Sequence, residues 1–198
     1  MGEGLLLVED QASGTDWPLI VTAIGAILGP FIAVIAVLTE GKRMRLQLGV
    51  DNMWRLIEKW DQPSLKSSRS EAAEYLLDNW SRRENLPNSA LVTLDLFELL
   101  AYLVIRSQTL SIEDAWINFS GPAIQWWHVC RPGIEAFRAD DPTIYEDFAS
   151  LIELLIKMEE ERRGMTREEL QPSDGDLIAF LQGEKALVEK SPPWQFWS

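Results

Sequence analysis

Residues 18–38, PLIVTAIGAILGPFIAVIAVL, carry no charged side chain, and this run restricts the chain more than any other. As an α-helix rising about 1.5 Å per residue it reaches about 32 Å, against about 30 Å for the hydrocarbon core of a bilayer. Twelve of its residues are Leu, Ile, Val or Phe, each favouring insertion by about 0.3–0.6 kcal/mol at mid-membrane. The run is expected to be a transmembrane helix over 18–39. A removable signal peptide is the competing reading, and three features oppose it. The preceding charges, Glu3, Glu9, Asp10 and Asp16, are acidic rather than basic. The run exceeds the usual length of about 7–15 residues. Leu38-Thr39-Glu40, with no small-x-small cleavage pattern, follows it.

The flanks set the expected orientation. No Lys or Arg precedes the span, whereas Lys42, Arg43 and Arg45 follow it. Basic residues are retained on the cytoplasmic side and attract anionic lipid there. The expected arrangement is a single pass through the inner (plasma) membrane. Residues 1–17 form a short extracytoplasmic tail, and a domain over 42–190 lies in the cytoplasm. Gly25 and Gly29 make a G-x-x-x-G pattern that Ala33 continues. Such a stripe lets another helix approach closely, although Gly is common in membrane helices and Pro30 adds a kink. The expected partners are the lipid bilayer and another membrane subunit or a second copy of the chain.

A second apolar run, Ala90 to Ile105, contains Asp95 and Glu98 near its middle. Acidic residues there cost about 2.5–3.5 kcal/mol each in a bilayer. This run is read as the buried helix of a folded domain. After the span about 155 residues remain, one domain's worth. The net charge of −13 opposes binding to nucleic acid. One cysteine, Cys130, and one histidine, His128, exclude an internal disulfide and a Cys/His zinc site. No cofactor, metal or small-molecule substrate is evident.

The rest of the chain shows helical spacing and no strand-like alternation, which predicts an all-α domain, a compact helical bundle. Leu46, Val50, Met53, Ile57 and Trp60 form one apolar seam. Asp61–Ser68 reads as a linker, with Ser68 and Glu71 as a capping box opening a helix that points Ala73, Leu76 and Trp80 inward. Ser111 with Asp114 predicts a short helix, and Pro122 the first turn of another. Asp141-Pro142 predicts the start of a long helix closing at Gly164. Thr166 with Glu169 and Ser173 with Asp176 are two further capping boxes. Charge is uneven, with Lys42–Arg83 net basic and Glu84–Ser198 strongly acidic.

Few residues offer chemistry. Asp95, Glu98, Tyr102 and Arg106 share one helix face. If buried, the carboxylates need partners; paired carboxylates can bind a metal or move a proton, or they are internal ion-pair members with Arg131 or Arg138, or simply the exposed face of the helix, and the structural reading is favoured. His128 and Cys130 are two apart on a helix and point away from each other, unlike a nucleophile and its base. The tail 191–198 crowds Trp194, Phe196 and Trp197 behind two prolines. These aromatics are expected to dock on their own domain, on a partner, or at the membrane interface.

The segments LDLFELLAYLV, SIEDAWINFSG, AIQWWHVCRPGIEAFR and IYEDFASLIELL, with the span before them, resemble an uncharacterised family of bacterial single-pass membrane proteins with a helical cytoplasmic region. The resemblance covers about Leu91 to Leu155 plus the span, and it implies no activity. The expected function is that of a non-catalytic accessory or scaffold subunit of a membrane protein complex. The alternative is a membrane-tethered sensor or regulator in signalling or defence, with a carboxylate-based enzyme behind both.

Overall fold

The computed structural model describes residues 47–188, together with Glu40 and Met44. The expected span with Gly25, Gly29 and Ala33, the basic residues Lys42, Arg43 and Arg45, and the aromatic tail with Trp194, Phe196 and Trp197 lie outside the described residues. The chain divides into two units, Met1–Met44 and Arg45–Ser198, and the description concerns the second.

Among the described residues the unit is an all-α helical bundle. A helical stretch over 47–61 (α1) leads into α2, Pro63–Asp78, and a single 3-10 turn, Trp80–Arg82. Then come α3, Asn88–Ile105; α4, Ile112–Arg138; α5, Glu146–Arg163; the one-turn α6, Arg167–Leu170; and α7, Asp174–Lys185. Helix α2 packs on α3 and α7, and α5 packs on α3, α4 and α6.

The expected seam of α1 is rotated. Val50 is exposed, and Gly49, Met53 and Leu56 face inward, with Trp60 half-buried behind them. Gly49 accounts for the rotation: a Cβ there would lie 2.6 Å from the Thr109 carbonyl oxygen, so this position admits the α3–α4 loop against the helix. Asn52 Nδ2 donates to Thr109 Oγ1 beside it, at 3.2 Å.

Helix α2 starts earlier than the capping pattern predicts. Pro63 occupies the first turn, where a missing N–H costs nothing. Ser68 is therefore inside the helix, and its hydroxyl donates to the Ser64 carbonyl. The predicted break at Pro122 is also absent. One helix of 27 residues runs through Pro122 and Pro132, because its buried face, Ala115, Phe119, Ala123, Trp126, Cys130 and Ile134, continues past both. Each proline loses one backbone hydrogen bond, and burial on either side offsets it. Gly133 lets this helix meet the α2–α3 connection, since a Cβ there would sit 2.4 Å from Leu86 Cγ. The Ser111 cap is present, its hydroxyl accepting from the Asp114 amide, and both later capping boxes form as the sequence predicts.

Helix α5 begins at Glu146, not at Asp141-Pro142. Asp141 instead closes a local turn, accepting from the Thr143 amide and hydroxyl. Its far end matches expectation, with Gly164 left-handed at φ 64°.

Helix α3 is the one described helix long and apolar enough to cross a membrane. In the bundle its Leu94, Leu96, Phe97, Leu100 and Ala101 are buried, while Val92, Leu99 and Tyr102 are exposed. Phe97 stacks on Phe148 with centroids 5.2 Å apart, and Trp60 meets Phe97 at 5.4 Å and Phe119 at 6.1 Å. Trp127 meets Phe148 at 5.3 Å and Trp126 meets Phe180 at 5.8 Å, both nearly perpendicular. Aromatic pairs of this kind add about 0.5–1.5 kcal/mol each beyond area burial. They tie α1, α3, α4, α5 and α7 into one core.

Candidate functional site

The two carboxylates singled out by sequence, Asp95 and Glu98, are not both buried. Asp95 is exposed and Glu98 is half-buried. As candidates for buried polar groups they are corrected in part: α3 is not enclosed on all sides, and Asp95 lies on its exposed face with Val92, Leu99 and Tyr102 also open. Asp95 and Glu98 both address the start of α5. The Glu98 carboxylate accepts the Phe148 amide at 2.8 Å, and Phe148 is the third residue of that helix. Glu98 therefore does across 50 residues what an N-cap side chain does locally, satisfying one of the amides a helix leaves open. Burial is the main reason its proton affinity is raised; the Asp147 charge adds to the rise, and the Phe148 amide opposes it.

Tyr145, just before α5, sits in the left-handed region at φ 54°, a costly place for a bulky side chain. Three hydrogen bonds hold it. Its hydroxyl donates to Asp95 Oδ1 at 3.2 Å, and Arg138 donates to the carbonyls of Ile144 and Tyr145, each at 2.8 Å. Burial, then Asp95, raises the proton affinity of the phenol. Arg106 pairs with Asp147 at 2.8 Å. Tyr102 on the same face is half exposed. Arg131, the other cation proposed for Asp95 and Glu98, pairs with Glu135 instead. The arrangement positions a helix and a turn; among the described residues no group of His, Cys, Asp and Glu is placed to hold a metal.

His128 and Cys130 diverge. The Cys130 thiol is fully buried, and burial pushes its proton affinity up, away from the thiolate a nucleophile needs. His128 instead faces a groove of about 570 Å³ between α4, α5 and α6. Its lining includes buried Ile152 and Ile156 and half-buried Trp127, but polar and charged residues are the majority. Its rim is charged. Arg131 bonds Glu135 at 2.7 Å within α4, and Arg167 of α6 bonds Glu153 of α5. Burial and the nearby charges of Arg131 and Arg167 hold the His128 imidazole below its ordinary proton affinity. Sequence reasoning missed this groove. His128 and Arg131 are visibly one turn apart on α4, but nothing in the local pattern folds α6 back beside them.

One described tryptophan does not belong to the core. Trp80 is covered by Arg83 at 3.7 Å. Trp116 donates to Glu159 at 3.0 Å under the Arg162 guanidinium. Trp54, by contrast, is 66% exposed. Leu48 and Val50 on the same helix, α1, are also exposed.

Comparison with protein-family models, with curated proteins and with solved structures gave no match.

Proposed function

We propose that this chain is a non-catalytic accessory or scaffold subunit of a membrane protein complex. A helix over 18–39 anchors it in the inner membrane, and the helical domain holds a partner on the cytoplasmic side. The observation that carries the reading is the exposure of Val50 and Trp54 on α1. Val50 and Trp54 are one helical turn apart and expose large apolar side chains on one face, as interaction sites do, and tryptophan is prominent among the residues that dominate binding energy. The side chains capable of chemistry support the same reading, because Glu98, Asp95 and Arg138 are engaged in holding α5 and its leading turn.

A second reading, a membrane-tethered sensor or regulator, is favoured by the groove beside His128. One experiment separates the two. The full chain is extracted from its native membranes in mild detergent and weighed by native mass spectrometry. A stoichiometric partner that is lost with Trp54→Ala supports the subunit. A chain recovered alone, or only with copies of itself, overturns the subunit and leaves the regulator. Release of the intact chain by carbonate washing overturns the anchor on which both depend.

A further inference from the structure

We propose that the groove between α4, α5 and α6 binds a small ligand bearing an oxyanion, a carboxylate or a phosphate. Its anionic head lies between Arg131 and Arg167 beside His128, and its apolar body rests on Ile152, Ile156 and Trp127.

The volume, about 570 Å³, lies in the range of small-molecule sites, roughly 300–1,000 Å³. The lining is more polar than that of most such sites, with Trp127, Ile152 and Ile156 among a majority of polar and charged side chains, which suits a ligand whose head is charged. The head position follows from the guanidiniums. Arg131 and Arg167 approach one groove from different helices, and His128 experiences both charges. Each is held by a single exposed carboxylate: Arg131 through Nε to Glu135, and Arg167 through one terminal nitrogen to Glu153. A guanidinium has five N–H donors in a fork that suits carboxylate and phosphate oxygens. Both arginines therefore retain donors for an incoming oxyanion without giving up their present partners. Ion pairs this exposed are weak, so exchanging one for a ligand costs little. The imidazole is held toward its neutral form and offers one more donor beside the head.

The remaining charges select the class. Glu135, Glu153 and Glu168 line the same groove, balancing Arg131, Arg138 and Arg167. A groove without excess positive charge, on a chain of net charge −13, does not retain an extended polyanion. It favours one compact head that fits between two cations. This site is independent of the surface around Trp54 and goes beyond the subunit reading.

His128 is the chain's single histidine, so its imidazole resonance reports this groove without overlap. The full chain in neutral detergent is titrated with phenyl phosphate, benzoate and inorganic phosphate, and the His128 signal is followed against pH. Saturable binding of phenyl phosphate or benzoate with a rise in the His128 pKa is expected, since an anion beside the ring favours the imidazolium. Whichever of the two binds more tightly identifies the head group. Arg131→Gln and Arg167→Gln each weaken binding by about tenfold or more, as loss of a charged hydrogen bond does. Glu135→Gln, which frees Arg131, tightens it by a few fold. No saturable shift with any probe overturns the site, as does a shift that survives in the Arg131→Gln, Arg167→Gln double variant with unchanged circular dichroism. Inorganic phosphate binding as tightly as phenyl phosphate overturns the apolar seat. None of these outcomes bears on partner recovery with Trp54→Ala, so the two proposals fail separately.

Discussion

Two seams of the bundle join helices far apart in sequence through charged side chains, and they differ in access to water. On the α2–α7 seam, Arg69 forms a two-pronged pair with Glu184 at 2.6 and 2.7 Å, with side-chain exposures of 5% and 9%. The guanidinium also lies 3.5 Å over the Trp60 ring and donates to the Trp60 carbonyl. On the α3–α5 seam, Arg106 meets Asp147 with its own side chain 56% exposed, and Glu98 beside it is half-buried. Burial makes the first pair costly to break, because a charge left without its partner cannot turn to water. Water competes for the second, so its geometry is present but its energetic weight is small. Distances alone would have ranked them as equals.

Breaking the buried pair is expected to have the largest effect. Arg69→Met strands Glu184, at a cost of about 3–5 kcal/mol in urea unfolding of the full chain in neutral detergent. The double variant Arg69→Met, Glu184→Leu removes both charges and is expected to recover most of that loss. A double variant as unstable as the single one would show that the pair itself, rather than the stranded charge, dominates this seam.

The α3–α5 seam is expected to respond less. Glu98→Ala leaves the Phe148 amide open at the start of α5 and costs about 1 kcal/mol, the scale of a lost helix cap. Glu98→Gln keeps an accepting oxygen and separates the cap from the charge. Because the folded state raises the Glu98 proton affinity above its ordinary value of 4.5, the native chain holds that proton more tightly than the unfolded one. Its stabilising contribution is thus complete below about pH 4.5 and is lost as pH rises through the folded-state value. Wild-type stability measured against Glu98→Gln should fall over that window, and a rise would reverse the assignment. Arg106→Ala should be the smallest change of all, with no measurable shift in the unfolding midpoint.

Local signals were legible where one short segment decides its own conformation. The Ser111 cap, the Thr166 and Ser173 capping boxes and the Gly164 stop all formed where their residues place them. The Ser68 cap fails for a local reason, since Pro63 starts α2 earlier; the other errors fall where packing overrides a local preference. Pro122 reads as a helix start, yet the apolar face of α4 continues on both sides of it. Asp141-Pro142 reads as a cap, yet α5 begins four residues after Pro142, where Glu98 reaches its amides and Arg138 holds the turn before it. Val50 fits the α1 seam by spacing, but the Thr109 backbone chooses Gly49 as the point of contact.

The chain by itself determined its helical class, the caps at Ser111, Thr166 and Ser173 and the polar stripe of α3, since helical period and these caps depend on neighbours within four residues. Tertiary structure decided which charges are buried together. Nothing near Arg69 indicates that Glu184 will meet it from 115 residues away, and nothing near His128 indicates that Arg167 will close the groove beside it. Burial is a property of the assembled helices, and it is burial that sets what each of these charges contributes.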